Sequence, residues 1–507
     1  MDNQNRPAGL TLPLAFAAVF GYYVFLQFIS PTLYEVDSHY HVAVAQFIKT
    51  WGLHYHFLWA RFSTFTKFYA DKELLFHLGI LPFLLVTKNI VLAGKLAVLF
   101  YDLLFLGVFV FILRRYVSRF AAACVLLLLV FCNFFSMSML FLRPATLANV
   151  FTLAAIYLLI KKRWLWLGIL SLLYPMAHLS FFTVIIFALI CESIRWAFEK
   201  QACARNIYAA VLGTALGLVL HPDFPNNLLV IYLNDFLVPL YSLTSKISLG
   251  GEFSSYSLRH LLIINFPVFL SLGVVFWTGL VARVKASFPT LVWGACAFFY
   301  LLLACVGNRY WYPATAVFFV FFTAWLGDWR GERSWNQVSV KLVRHGTLAF
   351  LIVVAVSLPA SEILRRDLKY QIDRNVHHED IARWMVKLVP AGETIYHSHW
   401  DDSPVFICLN PKNSYFVVLD PIYMYYPFPD QYKIYQDIRE GRLSRPDLAL
   451  TRVFNTRYGY VRVNTGLSSQ ILKDREHFKI LYANRWGLIF RVIEPVAEVV
   501  KENLKKP

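Results

Sequence analysis

Charge is scarce in this chain, and acidic charge scarcest. Only 16% of the 507 residues are Asp, Glu, Lys or Arg, and 31 are acidic against 48 basic. Cysteine is thin as well: Cys124, Cys132, Cys191, Cys203, Cys296 and Cys305 fall in apolar surroundings, Cys408 stands alone in the C-terminal part, and no CxxC occurs. That leaves no basis for a disulfide framework or a cysteine zinc site. The basic residues are scattered over loop ends and show no nucleic-acid motif, so the net charge of +17 does not imply a nucleic-acid partner. No internal repeat and no low-complexity tract is present. The first apolar run lacks a small-residue cleavage site and reads as an uncleaved anchor.

Apolar sequence is what the chain has in excess, at 58% hydrophobic, more than a soluble globular domain needs. Runs long enough for a bilayer recur, and backbone polar groups in lipid are satisfied there only by helices. Eleven spans are expected, at 12–30, 90–113, 119–137, 145–160, 164–177, 179–195, 206–220, 261–282, 288–306, 311–327 and 345–359. The segment 74–87 is apolar but short and holds Gly79 and Pro82, so it reads as a re-entrant or interfacial helix. With the N-terminus inside, each cytoplasmic turn is basic: Arg114, Arg115 and Arg119; Lys161 to Arg163; Arg195, Lys200 and Arg205; Arg283 and Lys285; Arg330, Arg333, Lys341 and Arg344. The C-terminal stretch is then extracytoplasmic. The expected organisation is a transmembrane domain over 1–360, with outer loops 31–89 and 221–260, and an extracytoplasmic soluble α/β domain over 361–507. In that tail, Val376–Val389 has helical spacing. Residues 394–398, 405–409, 415–419, 458–463, 478–483 and 488–493 read as strands.

The residues with chemical potential collect at expected outer ends. Glu35 and Asp37 follow the first span directly. If the chain is helical from residue 37, Asp37 and His41 share a face at i and i+4. That pattern suits a general base, or a metal site of Glu35, Asp37 and His41; it equally suits Asp37 as the N-cap of an interfacial helix. His39, His41, His54, His56 and His77 crowd the same outer loop, as a metal-binding or titrating group or as ordinary interfacial residues. Arg143 and Arg309, the latter followed by Tyr310, end outer turns where a guanidinium holds phosphate or snorkels to headgroups. His178 and His221 lie at outer boundaries too. Asp71, Lys72 and Glu73 form either a solvated rim or a second acidic contribution. Asp102 falls mid-span, where an ionisable residue is a functional candidate by default. Trp400 to Pro404 and Leu419 to Pro421 read as turns.

Taken together, these features resemble the GT-C superfamily of polyprenyl-phosphate-sugar-dependent glycosyltransferases, which includes aminoarabinose transferases, protein O-mannosyltransferases and oligosaccharyltransferase catalytic subunits. The features that carry the resemblance are Glu35-Val36-Asp37 in the first outer loop, the amphipathic run after it, the re-entrant segment, Arg114-Arg115, Arg309-Tyr310 and the outer C-terminal domain. The resemblance implies an α-helical polytopic membrane protein of about eleven transmembrane helices with an extracytoplasmic mixed α/β domain. It implies transfer of a hexosyl or pentosyl group from a polyprenyl-phosphate-linked donor to a glycan, lipid or protein acceptor. By the same resemblance Asp37 takes the base role with Glu35 as partner, and Arg309 the phosphate role. Tyr310, Arg143, His77, His178 and His221 join as substrate-binding candidates. No cofactor is fixed; a divalent cation, Mg2+ or Mn2+, is an option. The oligosaccharyltransferase signature Trp-Trp-Asp is absent, and Trp400-Asp401-Asp402 does not reproduce it. The overall style of the chain suggests a bacterial inner membrane. Two rivals stand beside this reading: a transporter or lipid flippase, supported by Asp102, and a non-catalytic receptor or assembly subunit using the tail for binding.

Overall fold

The computed structural model describes residues 6–243, 247, 250, 256–331 and 339–493. Part of the 221–260 loop, Arg333 of the last basic turn and residues 1–5 and 494–507 lie outside them, and the 345–359 run is described by its backbone alone. Every apolar run expected to be helical is helical. The order begins α1 (Arg6–Ile29), α2 (Val36–Trp51), α3 (Leu74–Val86), α4 (Ile90–Leu113), α5 (Arg119–Val130), α6 (Asn133–Met139) and α7 (Ala145–Ile160). It continues with α8 (Trp164–Leu173), α9 (Thr183–Glu199), α10 (Ala204–Val219), α11 (Asn226–Ile231), α12 (Val238–Leu243), α13 (Leu258–Ile264) and α14 (Phe266–Ala282). Then come α15 (Phe288–Val306), α16 (Trp311–Gly331) and the long α17 (Ser339–Leu388).

Length decides which of these can cross a bilayer unaided. Four qualify by length and apolarity: Thr11–Ile29, Ile90–Leu113, Leu179–Glu199 and Phe288–Val306. Two bent pairs, α5 with α6 (85°) and α13 with α14 (89°), bring the number to six if each pair is one span. Ala145–Ile160 and Ala204–Val219 are apolar but shorter; at 16 residues each they reach only about 24 Å, against a hydrocarbon core of about 30 Å. The count of eleven crossings thus rests on the hydropathy pattern, while four to six of the described helices meet the length criterion.

The chain divides into two compact units. The membrane unit comprises Met1–Tyr34, Asp71–Ile231 and Gly250–Gln371. Within it α7 packs on α4, α8 and α9, α15 on α16, and α1 on α4 and α5. The closest approach is between α8 and α10. A Cβ on Gly213 would stand 2.5 Å from the carbonyl oxygen of Gly168, so only glycine lets these backbones meet.

The second unit comprises Glu35–Ala70, Tyr232–Leu249 and Ile372–Pro507. Its centre is a five-stranded mixed sheet of β1 (Thr394–His397), β2 (Ser414–Tyr415), β3 (Tyr458–Arg462), β4 (Phe478–Ala483) and β5 (Gly487–Val492), in the order β2-β1-β3-β5-β4. β1 runs parallel to β2 and β3, while β5 is antiparallel to β3 and β4. Helices α18 (Ser403–Leu409), α19 (Ile422–Tyr425), α20 (Pro429–Arg439), α21 (Pro446–Leu448) and α22 (Gly466–Lys473) complete it. The expected strand at 405–409 is a correction. Pro404 lies in the first turn of α18, where its missing N–H costs nothing, and the run is a helix buried from Ser403 to Cys408. The expected strand 415–419 shrinks to β2. The first loop closes on this edge: Tyr415 N–H donates to Trp59 O (2.7 Å), Arg61 N–H to Tyr415 O (2.6 Å) and Phe62 N–H to Phe416 O (2.8 Å).

A charged network ties α17 to the sheet. Arg462 donates to Asp402 (2.8 Å) and to Asp401 (2.5 Å), Arg374 to Asp401 (2.7 Å), and His378 pairs with Asp402 at 2.9 Å. Burial alone would raise Asp402, but Arg462 and His378 reverse the sign and hold it at about 2. A carboxyl lowered on folding contributes stability that is complete above its unfolded pKa of about 3.9 and is lost as pH falls toward the folded value. Arg462→Met leaves buried Asp402 and half-buried Asp401 each short of a partner, at a cost of roughly 3–5 kcal/mol. In thermal unfolding at neutral pH this variant is expected to melt well below the parent. The gap is expected to shrink between about pH 4 and pH 2 as Asp402 protonates.

Candidate active site

In the membrane unit, the polar residues at the expected outer ends form two groups joined through Lys72. The first is built on Asp71, just before α3. Both of its carboxylate oxygens lie 2.8 Å from His77 Nδ1, and one of them accepts from Glu73 N–H at 3.1 Å. Its backbone N–H donates to Asp223 (2.8 Å), and its carbonyl accepts from His221 Nε2 at 3.1 Å. Asp223 N–H donates in turn to His221 Nδ1 (3.1 Å), which fixes the His221 tautomer. His77, His221, Asp71 and Glu73 are all buried. His77 Nδ1 is committed to the Asp71 carboxylate, the arrangement that orients a metal-ligating histidine. A Glu73 oxygen lies within 4.8 Å of a His77 ring nitrogen, so Glu73 and His77 offer a pair of ligands suited to a divalent cation. Burial raises the Glu73 pKa, opposed by Lys72 (3.6 Å away) and His77.

The second group is cationic. His178 sits in extended backbone after Pro175 and caps the turn Leu179–Phe182, its Nδ1 accepting the Ser180 N–H at 3.0 Å. The ring proton therefore resides on Nε2. Ser180 Oγ lies 2.8 Å from the same Nδ1 and 3.0 Å from the Tyr174 hydroxyl, which also reaches Ala148 O. Desolvation lowers the His178 pKa, and the positive charges of Lys72 and Arg309 push it further, to about 3. Arg309 rides on the short turn Asn308–Tyr310 between α15 and α16; its Nη2 donates to the Tyr310 hydroxyl (3.2 Å), and its Cζ stands 5.1 Å from that ring's centre. Buried Asn308 anchors the turn by accepting the Tyr256 N–H at 3.0 Å. Lys72 and Arg309 thus both act on the His178 ring, which carries its proton on Nε2. Arg143 lies on the turn into α7, its Cζ 5.8 Å from the Phe141 ring.

The second unit holds the acidic motif. Glu35, not Asp37, is the N-cap residue of α2, and it makes no side-chain cap bond. Asp37 lies in the first turn, where a carboxylate complements the helix dipole. Because α2 is helical from Val36, Asp37 and His41 do share a face, and Glu35 and His41 are buried. His39 Nε2 pairs with Glu379 at 3.2 Å, both groups buried. Of the histidines expected in the first outer loop, His54 and His56 are exposed, on a segment whose Phe57 and Trp59 turn inward. Asp401 and Asp402 are spent on the arginine network. In sequence Lys72 reads with Asp71 and Glu73 as a solvated rim or a second acidic contribution, because the two flanking carboxylates mask it as a separate cation.

The electrostatics of the cationic group are directly checkable. Lys72→Met and Arg309→Met are each expected to raise the His178 pKa from about 3, because each removes a positive charge that disfavours the imidazolium. The pH dependence of carbethoxylation at His178, mapped by mass spectrometry, reads the shift; an unchanged midpoint in both variants would show that the charges do not meet.

No protein-family model matches the chain, and no curated protein matches it in sequence. Solved structures do match in fold. ArnT from Cupriavidus metallidurans bound to undecaprenyl phosphate superposes with a TM-score of 0.58 at 13% identity, over 97% of this chain and 99% of that one. The oligosaccharyltransferase of Archaeoglobus fulgidus in the apo form gives 0.57 at 11% identity, over 88% of this chain and 69% of that one. The same archaeal enzyme, AglB, in complex with an inhibitory peptide and a dolichol-phosphate gives 0.52 at 11%, over the same shares. The helical architecture, the mixed sheet at the C-terminal end and a superposition spanning nearly the whole chain give this protein the GT-C fold shared by these membrane glycosyltransferases.

Proposed function

We propose that this protein is a membrane glycosyltransferase that moves a sugar from a polyprenyl-phosphate-linked donor to an acceptor at the extracytoplasmic face. The observation that carries the proposal is the fold, that of proteins solved with undecaprenyl phosphate and dolichol-phosphate bound; the positive charges of Lys72 and Arg309, both acting on His178 in the membrane unit, support it. Two cations and a neutral N–H donor suit a phosphate oxyanion. The acceptor hydroxyl oxygen attacks the anomeric carbon, and the bond from that carbon to the phosphate oxygen breaks. The hydroxyl proton passes to Asp37, with Glu35 as its partner, and the charge left on the lipid phosphate is met by Arg309, held by Tyr310. His77, His221 and Arg143 stand as further substrate-binding candidates, and Glu35, Asp37 and His41 as the alternative metal ligands. On this reading the N-terminus is cytoplasmic and the C-terminal domain extracytoplasmic, an orientation the basic turns support, and the membrane is a bacterial inner membrane.

Two measurements separate the roles. Arg309→Ala is expected to weaken binding of undecaprenyl phosphate by about 10- to 100-fold, the loss of one charge-assisted contact, read by native mass spectrometry of the detergent-solubilised protein. Asp37→Asn is expected to lower sugar transfer from lipid-linked pentoses or hexoses by roughly 10²–10⁴-fold with lipid binding intact. Transfer that survives in Asp37→Asn removes its catalytic assignment. Chelation distinguishes the two carboxylate roles: if Asp37 is a ligand, EDTA abolishes transfer and Mg2+ or Mn2+ restores it, whereas a metal-free base leaves transfer unchanged.

One observation favours the second reading, a transporter or lipid flippase. Asp102 is buried in the middle of α4, and neither of its carboxylate oxygens has a hydrogen-bond partner among the described residues. Lipid translocation in proteoliposomes without any sugar product, lost in Asp102→Asn, is the outcome that selects it.

A further inference from the structure

A short turn between two helices has few bonds of its own to hold it. The turn that carries Arg309, Asn308–Tyr310, is a 3₁₀ turn of three residues between α15 and α16. Its main-chain bonds run from Tyr310 N–H to Gly307 O at 3.2 Å and from Trp311 N–H to Asn308 O. Bonds of this i→i+3 kind have poorer geometry than those of an α-helix. Tyr310 meets the guanidinium through its hydroxyl, but as the next residue in sequence it moves with the turn. A bond to a distant segment is what sets the turn in place.

Asn308 supplies that bond. Its side chain is polar, yet only 2% of the residue is exposed. Its Oδ1 accepts the Tyr256 N–H at 3.0 Å, across 52 residues of sequence. The donor is itself anchored. Tyr256 directly precedes Ser257, the N-cap residue of α13, whose hydroxyl accepts the His260 N–H, and its ring lies 4.8 Å from the His260 ring. Both partners belong to the membrane unit. An amide oxygen accepts only over a narrow range of distance and angle. Sliding or tilting the turn therefore breaks the bond inside the protein, where the loss is not made good by water. The charge of Arg309 acts on His178, and such an effect weakens as the charge moves away.

We infer that Asn308 is a positioning residue for Arg309, its bond to the Tyr256 main chain fixing the place of the guanidinium in the membrane unit. That the ligand so served is a lipid phosphate rests on the reading above; the positioning itself does not.

The test uses the full-length, detergent-solubilised protein and reads placement first. The midpoint of His178 carbethoxylation is expected to rise in Asn308→Ala, as in Arg309→Met, because a displaced guanidinium disfavours the imidazolium less. Adding Asn308→Ala to Arg309→Met is expected to raise it no further. A merely structural role lowers the melting temperature and leaves the midpoint where it is. Should Asn308→Ala fail to fold, the bond is broken from its other end: Tyr256 is replaced by its α-hydroxy acid, which keeps every side chain and removes the N–H, with the same rise expected. The second readout is native mass spectrometry with undecaprenyl phosphate. There Asn308→Ala is expected to weaken binding about 3- to 10-fold in the parent and to change nothing in the Arg309→Ala background. A midpoint that stays at the parent value when the bond is broken overturns the inference. So does an equal loss of lipid binding with and without Arg309. Undecaprenyl phosphate bound equally by the parent and by Arg309→Ala removes the phosphate role of Arg309 instead, and the His178 midpoint still decides the inference.

Discussion

Three main-chain hydrogen bonds between residues 59–62 and the strand edge at Tyr415–Phe416 hold the acidic loop in a defined place. Without them, the residues between the first apolar helix and α3 would be a long excursion with a large ordering cost. With them, α2 becomes part of the sheet unit: it packs on α18, and His39 meets Glu379 on α17. Trp59 stacks on Phe47 of α2 at 3.8 Å and donates its indole N–H to Pro411 O. Edge strands need such covering, since open N–H and C=O groups otherwise pair with other chains. The same bonds thus protect the sheet and fix the helix that carries Glu35 and Asp37.

The helical part of this architecture was legible because lipid allows so little else. α4, α7 and α15 begin and end where their apolar runs do, since a backbone leaving the helix inside the bilayer loses its hydrogen bonds. What hydropathy does not carry is direction within a run. The breaks at Phe131–Cys132 and Asn265 bend their pairs by 85° and 89°, yet neither site holds a glycine, and only Pro267 follows closely. The bends follow from packing of α6 and α14 against α16, a relation between segments far apart in sequence. In the tail, Val405–Leu409 is helical where the sequence suggests a strand, because a short, continuously apolar run has no period to inspect. Pro404 in its first turn was the one local sign of a helix.

The candidate residues were legible by type and their grouping was not. Expecting His77, His178, His221 and Arg309 at outer ends required only the spans and the basic turns. Their division required the backbone: Asp71 receives His221 through its carbonyl and Asp223 through its N–H, and main-chain groups leave no trace in a sequence. The same holds for His178, whose Nδ1 is consumed by the Ser180 N–H. A histidine at a membrane boundary reads as a titrating group; its role as a cap makes it a fixed-tautomer donor instead.

That fixed tautomer explains how two cations tolerate one another at the end of an apolar bundle. An imidazolium beside Lys72 and Arg309 would add a third positive charge where desolvation already disfavours charge. Keeping His178 neutral avoids it, and the depressed pKa records the size of the effect. Glu73 stands 3.6 Å from Lys72, and burial raises its pKa. An anion arriving beside Lys72 and Arg309 relieves their repulsion as well as gaining hydrogen bonds. Under the proposed reaction this bias acts in the useful direction. The phosphate of a lipid-linked sugar carries less negative charge before the glycosidic bond breaks than after it. A fixed positive field then binds the leaving group more strongly than the intact donor, the differential that lowers a barrier instead of merely tightening binding.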